Sequence, residues 1–337
     1  MNRHQIYILL SVVFLVSCLP KTSQSPEYIK ISGGTFGTYY HITYLHPEGK
    51  NLQTEIETKF QEFDASLSTF NMQSIISKIN KNEDVEVDDF FIQMYDEAVQ
   101  VSQNTHGAFD ITVAPLINAW GFGFGTKDRK ETPDVAAILP YIGFHKISLQ
   151  NQRLVKADPR MMLDASAIAK GQSADVIGEL LESEGCEHFM VEIGGEIACK
   201  GLNPKGKKWQ IGIDRPDEIL FEEQRPLQTV LSLTDCGMAT SGNYRQYYYR
   251  NGKKYAHTIH PVTGYPVDHN LLSATVVSSS SMRADAYATA FMVLGVDSSL
   301  AICNRLPDVA CYLIAEGEGK DYEVYYSDGF SGFFSTP

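Results

Sequence analysis

The strongest pattern along the chain is a stripe. Leu52, Ile56, Phe60, Phe63 and Leu67 follow one another at gaps of four, four, three and four, which places five large apolar side chains on one face of a helix. Ahead of it, runs at 28–32 and 39–45 read as strands joined by the turn Gly33-Gly34-Thr35-Phe36-Gly37-Thr38. Asp88 or Asp89 caps a second predicted helix that reaches about residue 104 with Met94, Tyr95, Ala98 and Val101 inward. Thr132-Pro133 opens a short helix, since Pro suits the first helical position. Residues 146–149 and 153–157 form a hairpin around Asn151-Gln152. A helix follows over 167–184, burying Ile177, Leu180 and Leu181, and then strands at 188–193, 209–214, 229–233, 255–260 and 274–277. The serines at 278–281 cap a helix over about 282–294, stopped by Gly295, and a last helix and two strands close the chain. Several antiparallel pairs are expected, so the fold class is α+β, a mixed α/β chain rather than a doubly wound parallel sheet.

The N-terminus departs from this globular pattern. Arg3 precedes an apolar run over residues 6–16, too short for a typical spanning helix and suited to the core of a signal peptide. It ends in Leu15-Val16-Ser17-Cys18, which resembles the lipobox of bacterial lipoproteins, with Cys18 the lipidated residue. Residues 1–17 are thus expected to be a lipoprotein signal peptide, 18–27 a lipidated tether and 28–337 the folded domain. No later stretch is apolar enough to predict a membrane span. Without residues 1–17 the chain carries 27 basic against 41 acidic residues, a net charge of −14. That acidity argues against nucleic-acid binding and against charge-driven adhesion to anionic lipid, so a membrane anchor has to be covalent. The five other cysteines contain no C-x-x-C pair and predict neither a metal knuckle nor a disulfide framework, though one disulfide stays open.

Candidate chemistry sits in a few segments. Asp285 and Thr289 are four apart on a predicted helix, a carboxylate and a hydroxyl on one face, as Mg²⁺ accepts beside waters and phosphate oxygens. By themselves they read more simply as an acid at a helix start and a threonine bonded to its own backbone. Asp164-Ala165-Ser166-Ala167-Ile168-Ala169-Lys170-Gly171 puts small residues and a lysine at a strand-to-helix junction, as a phosphate site or as a tight turn. His257 and His260 lie three apart in an extended segment, so at most one faces a given pocket; a neutral imidazole there suits a general base, and an isolated surface histidine is the simpler reading. Thr240-Ser241-Gly242-Asn243-Tyr244, His106-Gly107-Ala108-Phe109-Asp110 and Ser68-Thr69-Phe70-Asn71 each read as turns when taken singly.

Together they do not read singly. Phe36-Gly37-Thr38, S-T-F-N at 68–71, G-A-F-D-I-T-V at 107–113, D-x-x-x-I-A-K-G at 164–171, I-G-G-E-I at 193–197, T-S-G-N-Y at 240–244, H-x-I-x-P-x-T-G-x-P at 257–266 and A-D-A-x-A-T at 284–289 occur in one order. The chain thereby resembles the ApbE family, the FAD:protein FMN transferases. The resemblance implies a T-fold-like architecture of two intimate lobes with FAD in a cleft between them. It implies Mg²⁺ held by Asp285, Thr289 and the backbone oxygen of Ala167. It implies flavin-nucleotide contacts from Phe36, Thr69, Phe70, Ala108, Phe109, Asp110, Lys170, His257 and Ile259, with His257 as the catalytic base. Three positions depart from the family pattern: Phe36 stands where methionine is frequent, His260 where an acid or amide is usual, and Ala165-Ser166-Ala167 where glycines are common.

The implied reaction is Mg-dependent transfer of FMN from FAD to a Thr or Ser hydroxyl of a partner protein, releasing AMP. The implied partner is a flavin-accepting subunit of a membrane electron-transfer complex, met by an exported enzyme lipid-anchored to a bacterial membrane and facing the periplasm. Two other readings stand beside it: an FAD pyrophosphatase that uses the same site and gives FMN and AMP, and a non-catalytic flavin-binding lipoprotein, which does not need Asp285, Thr289 and His257 together.

Overall fold

Strands β1 (Ile29–Thr35) and β2 (Thr38–Leu45) close around the two residues Phe36 and Gly37, both at positive φ (49° and 73°). Two positive φ values are what a tight hairpin turn of the favoured twist requires, and an aromatic residue there is unusual. The Phe36 ring is held from beneath by Phe60 and Phe63, each 5.6 Å away between ring centres. The glycine-rich segment expected as a loop is thus mostly strand.

The computed structural model describes residues 27–123, 132–216, 226–243, 247–250, 253–318 and 321–335. The expected signal peptide, Cys18 and all but the last residue of the tether lie outside the described residues, as does Tyr244. Helix α1 (Gln53–Leu67) buries Ile56, Phe60, Phe63 and Leu67, with Leu52 buried just ahead of it. Helices α2 (Ile75–Asn80) and α3 (Asp89–Asn104) follow, the latter capped by Asp88, whose side chain accepts the Phe91 N–H at 2.9 Å. After α4 (Ala114–Trp120), the short α5 (Val135–Ile138) starts two residues later than Thr132-Pro133 predicts, because Asp134 takes the capping role and accepts the Ala137 N–H. The hairpin β3 (Ile147–Gln150) and β4 (Arg153–Lys156) turns at Asn151-Gln152 as expected.

Then come α6 (Ala169–Ser183), β5 (His188–Ile193), β6 (Glu196–Lys200), β7 (Trp209–Asp214), β8 (Leu227–Leu233), β9 (Cys236–Gly242), β10 (Tyr247–Arg250), β11 (Lys253–Ala256), β12 (Leu271–Ser278), α7 (Ser281–Leu294), α8 (Val296–Cys303), β13 (Val309–Glu316) and β14 (Tyr322–Tyr326). Strands β6, β9 and β10 have no counterpart in the sequence reading. The strand expected over 255–260 ends at Ala256; His257 lies in a bend beyond it.

Eight strands form one antiparallel sheet in the order β1-β2-β5-β6-β9-β12-β13-β14. Its two faces bury separate cores. On one side Val276, Cys311 and Leu313 meet α3 and α7, and Tyr40, Ile42 and Val191 meet α1 and α6. On the other, Val277, Ala310 and Tyr312 pack under the ribbon β7–β8, with Trp209, Ile211 and Leu231. A sheet covered on both faces needs apolar residues at both parities, which is why β13 reads as a continuous apolar run. Among the described residues no helix is long and apolar enough to cross a membrane.

Candidate active site

A cleft of about 730 Å³ opens where the end of β5, the start of β6, the end of β9, the start of α6, one face of α7 from Asp285 to Val293, the ribbon β7–β8 and the segment 257–261 converge. The hairpin between β5 and β6 turns on Gly194 and Gly195, both at positive φ, so that Ile193 and Glu196 pair directly and Glu196 returns into the cleft wall. On the far side, the indole N–H of Trp120 donates to Gly264 O at 2.8 Å, and Ile259 joins Leu116, Trp120, Val135 and Ile142 in a small core. Thr258 adds a side-chain bond to Asn243 at the end of β9. These contacts fix the segment that carries His257, whose ring lies 6.4 Å from that of Phe122.

Helix α7 supplies Asp285 and Thr289. Its first turn is pinned by Asp175 of α6, which accepts the N–H groups of Ser281 and Met282, each at 2.8 Å, and by the Ser280 cap. The Asp285 carboxyl is almost fully buried and takes the Gly171 N–H at 3.1 Å. That bond has a consequence for Ala167. In a continued helix the Gly171 N–H belongs to the Ala167 carbonyl. Here α6 begins at Ala169, Gly171 donates to Asp285 instead, and the Ala167 carbonyl, on the cleft wall, accepts no hydrogen bond among the described residues. The small-residue turn predicted as helix thus releases a backbone oxygen. Ser241 of β9 lies 3.2 Å from the Thr289 hydroxyl.

Lys170 is shared between two acids. Its ammonium is 2.6 Å from Glu196 Oε1 and 4.0 Å from Asp285 Oδ2. Burial works against the lysine's charge, but the Asp285 and Glu196 carboxylates outweigh it and hold the pKa above the ordinary value. Burial also pushes Asp285 up, against the pull of Lys170, and pushes Glu196 up to about 7. Glu196 Oε2 is buried with no hydrogen-bond partner among the described residues. Asp110 is raised by burial as well, yet its carboxylate is engaged by Thr112 and by the Phe144 N–H at 2.7 Å, so it braces two loops at the cleft wall.

The cleft gathers Ala108, Phe109, Asp110, Ala167, Lys170, His257, Ile259, Asp285 and Thr289 from four distant segments. Phe36, Thr69 and Phe70 do not line it: the Phe36 ring packs on α1, and Phe70 is 70% exposed. His260 also stays off the wall, its Nδ1 accepting the Val262 N–H, and burial lowers its pKa. Glu196 and Ser241 have no assigned role in the sequence analysis; an acid directly after two glycines was the available signal for the first.

The donors suit a hard divalent cation. Among the described residues no three His, Cys, Asp or Glu side chains cluster as a metal cage. What is present is one buried carboxylate, a hydroxyl one turn on and a vacated backbone oxygen, all oxygen donors, with Glu196 close by. Mg²⁺ takes few protein oxygens and completes its shell with water and phosphate. Six carboxylates (Asp110, Asp164, Glu192, Glu196, Asp214 and Asp285) line the cleft, and Lys170 is the one lysine or arginine among the described lining residues. A phosphate-bearing ligand entering such a field needs countercharge.

Comparison with known proteins agrees with this geometry. The model of the ApbE family matches residues 36–313. The chain belongs to the ApbE family. An FAD:protein FMN transferase of Haemophilus influenzae is 38% identical over 89% of this chain and 89% of its own length. One from Vibrio cholerae is 35% identical over 99% of both chains. Among solved structures, the flavin transferase ApbE from Vibrio cholerae superimposes with a TM-score of 0.81 at 33% identity, covering 92% of this chain and all of that one. The apo form of the Pseudomonas stutzeri flavinyl transferase ApbE gives 0.82 at 30% identity, over 93% of this chain and 98% of that one. The mixed helix-and-sheet architecture expected from the sequence is the ApbE fold.

Proposed function

We propose that the protein is an FAD:protein FMN transferase that moves FMN from FAD to a Thr or Ser hydroxyl of a partner protein and releases AMP. One observation carries this reading: an imidazole, a buried acid with a hydroxyl one turn on, and a lysine line a single acid-rich cleft large enough for a dinucleotide, in a chain of the ApbE family. In the reaction the acceptor oxygen forms a bond to the FMN phosphorus, the phosphorus–oxygen bond to AMP breaks, and the acceptor proton leaves through a base. His257 takes that proton, which it passes on to the departing phosphate or to water. Asp285, Thr289 and the Ala167 carbonyl hold Mg²⁺, which when bound neutralises charge on the pyrophosphate. Lys170 adds a fixed positive charge at the same end. Ala108, Phe109 and Ile259 supply apolar walls for the flavin nucleotide, and Phe70, off the cleft wall but exposed, offers an aromatic face of the kind that stacks on a flavin or adenine. Positioning supplies most of the rate, because phosphoryl transfer asks for little covalent help.

The same proposal includes export, lipidation at Cys18 and anchoring to a membrane facing the periplasm, where a flavin-accepting subunit of an electron-transfer complex is the acceptor. The lipobox-like Leu15-Val16-Ser17-Cys18 supports it.

The experiment is incubation with FAD, MgCl₂ and a candidate acceptor, read by intact mass and nucleotide analysis. A gain of FMN less water on the acceptor, with equal AMP, supports transfer. Free FMN and AMP without a mass gain mean hydrolysis. FAD retained with no AMP under any divalent metal means a binding protein.

A further inference from the structure

The large sheet consists of two antiparallel blocks, β1-β2-β5-β6 and β9-β12-β13-β14, that meet only where β6 runs beside β9. That junction has three register pairs, Ile197 with Met238, Ala198 with Gly237 and Cys199 with Cys236. Its neighbours are longer: six pairs join β9 to β12 and five join β5 to β6. The cleft lies at one end of this short seam, where Glu196 begins β6 and Thr240 and Ser241 end β9. Two cysteines lie at the other.

Residues directly opposed in antiparallel strands have Cα atoms about 4.5–5.5 Å apart and side chains on one face. A disulfide requires a Cα separation of about 4.4–6.8 Å. Both sulfurs belong to the core beneath β7–β8, and Cys199 Sγ donates to Cys236 O at 3.5 Å. Cys199 is buried, whereas Cys236 is partly exposed on the wall of a separate groove of about 530 Å³, with Thr234, Asp235, Ser278 and Ser279 beside it. The two neighbouring thiols perturb each other, Cys236 being shifted down and Cys199 up. The accessible member is therefore also the better thiolate.

We propose that Cys199 and Cys236 are a redox-active pair that closes into a disulfide and staples the two halves of the sheet at their seam. The Cys236 thiolate attacks one sulfur of an external disulfide oxidant, forming a mixed disulfide and expelling one thiolate. Cys199 then gives up its proton and attacks the Cys236 sulfur, expelling the second. Two protein thiols are oxidised, one external disulfide is reduced to two thiols, and the two protons pass from the protein to the leaving groups. The exported location proposed above is where such oxidants prevail.

The test uses the whole protein equilibrated with reduced or oxidised glutathione, alkylated, digested and mapped. The expected result is a peptide linking Cys199 to Cys236 in the oxidised sample and none in the reduced one. The oxidised protein should also melt higher, by about 5 °C, because the bond closes a loop between distant strands. Cys199→Ser should abolish that rise, and Cys303→Ser, at the end of α8, should keep it. Should Cys199→Ser fail to fold, the map of the unaltered protein decides alone. Cys199 and Cys236 both fully alkylated after oxidation, or a bond joining Cys303 to Cys311 in their place, overturns the proposal.

Discussion

The Lys170 ammonium sits closer to Glu196 than to Asp285, 2.6 Å against 4.0 Å, although both acids are buried beside it. Glu196 thereby draws the lysine's charge away from the carboxylate best placed for a cation. Glu196→Gln keeps the shape and loses that pull, leaving Lys170 to pair with Asp285 and compete with Mg²⁺. Outer-shell changes of this kind cost on the order of 10–100-fold in metal affinity. We expect a loss of that size by calorimetry with the isolated protein, and recovery in the double variant with Lys170→Met. Unchanged Mg²⁺ affinity in a folded Glu196→Gln protein contradicts the arrangement.

His257 stands on a segment tied down by Trp120, Asn243 and a small apolar core, so its removal should leave the cleft standing. His257→Ala is expected to bind FAD as before, by flavin fluorescence, and to transfer FMN about 10²–10⁴-fold more slowly, the usual worth of general-base help. Transfer at an undiminished rate excludes His257 as the base.

Asp285 supplies the only carboxylate of the proposed cation set. Asp285→Ala should abolish Mg²⁺-stimulated AMP release from FAD, and EDTA should do the same to the unaltered protein. Turnover of either sample at the original rate removes the cation from the reaction.

Gly171 lets α6 and α7 touch. A Cβ there would lie 2.2 Å from Ser281 O, a backbone atom that cannot turn aside. Gly171→Ala should cost about 1–3 kcal/mol, as overpacked cores do, in chemical denaturation. It should also depress transfer, because the Gly171 N–H and Asp285 move apart together. A variant as stable as the original means the helices separate freely.

Asp175 links stability to pH. Burial raises its pKa to about 7, against the N–H groups of Met282 and Ser281 that favour the charged form; Glu179 and Glu97 push it further up. The folded protein therefore holds a proton that the unfolded chain has released from about pH 4 upward. Its contribution is complete below that point and is lost as pH rises through about 7. Asp175→Asn carries no such proton, so its melting point relative to the unaltered protein should climb between about pH 5 and pH 8. A difference flat across that range excludes the linkage.

The helices were legible because each announces itself locally. The stripe from Leu52 to Leu67, the cap at Asp88 and the serines before α7 act through neighbours in sequence. Strands β6 and β9 were not. Glu196–Lys200 is almost wholly buried, so it shows no alternation, and Cys236–Gly242 is built of small residues whose strand state is imposed by β12. The expected strand at 255–260 fails after Ala256, where His260 and Tyr265 bond to each other and Ile259 bridges Pro266. Most of the site was readable as motifs. The roles of Glu196 and Ser241 were not, since they depend on Lys170 and Thr289, residues that only the tertiary fold brings near.

The cleft draws Ala167 and Lys170 from the middle of the chain, and Asp285 and Thr289 from its last fifth, across a sheet that stays incomplete until β13 and β14 are laid down. A nascent, truncated or partly unfolded molecule therefore has nowhere to grip a dinucleotide.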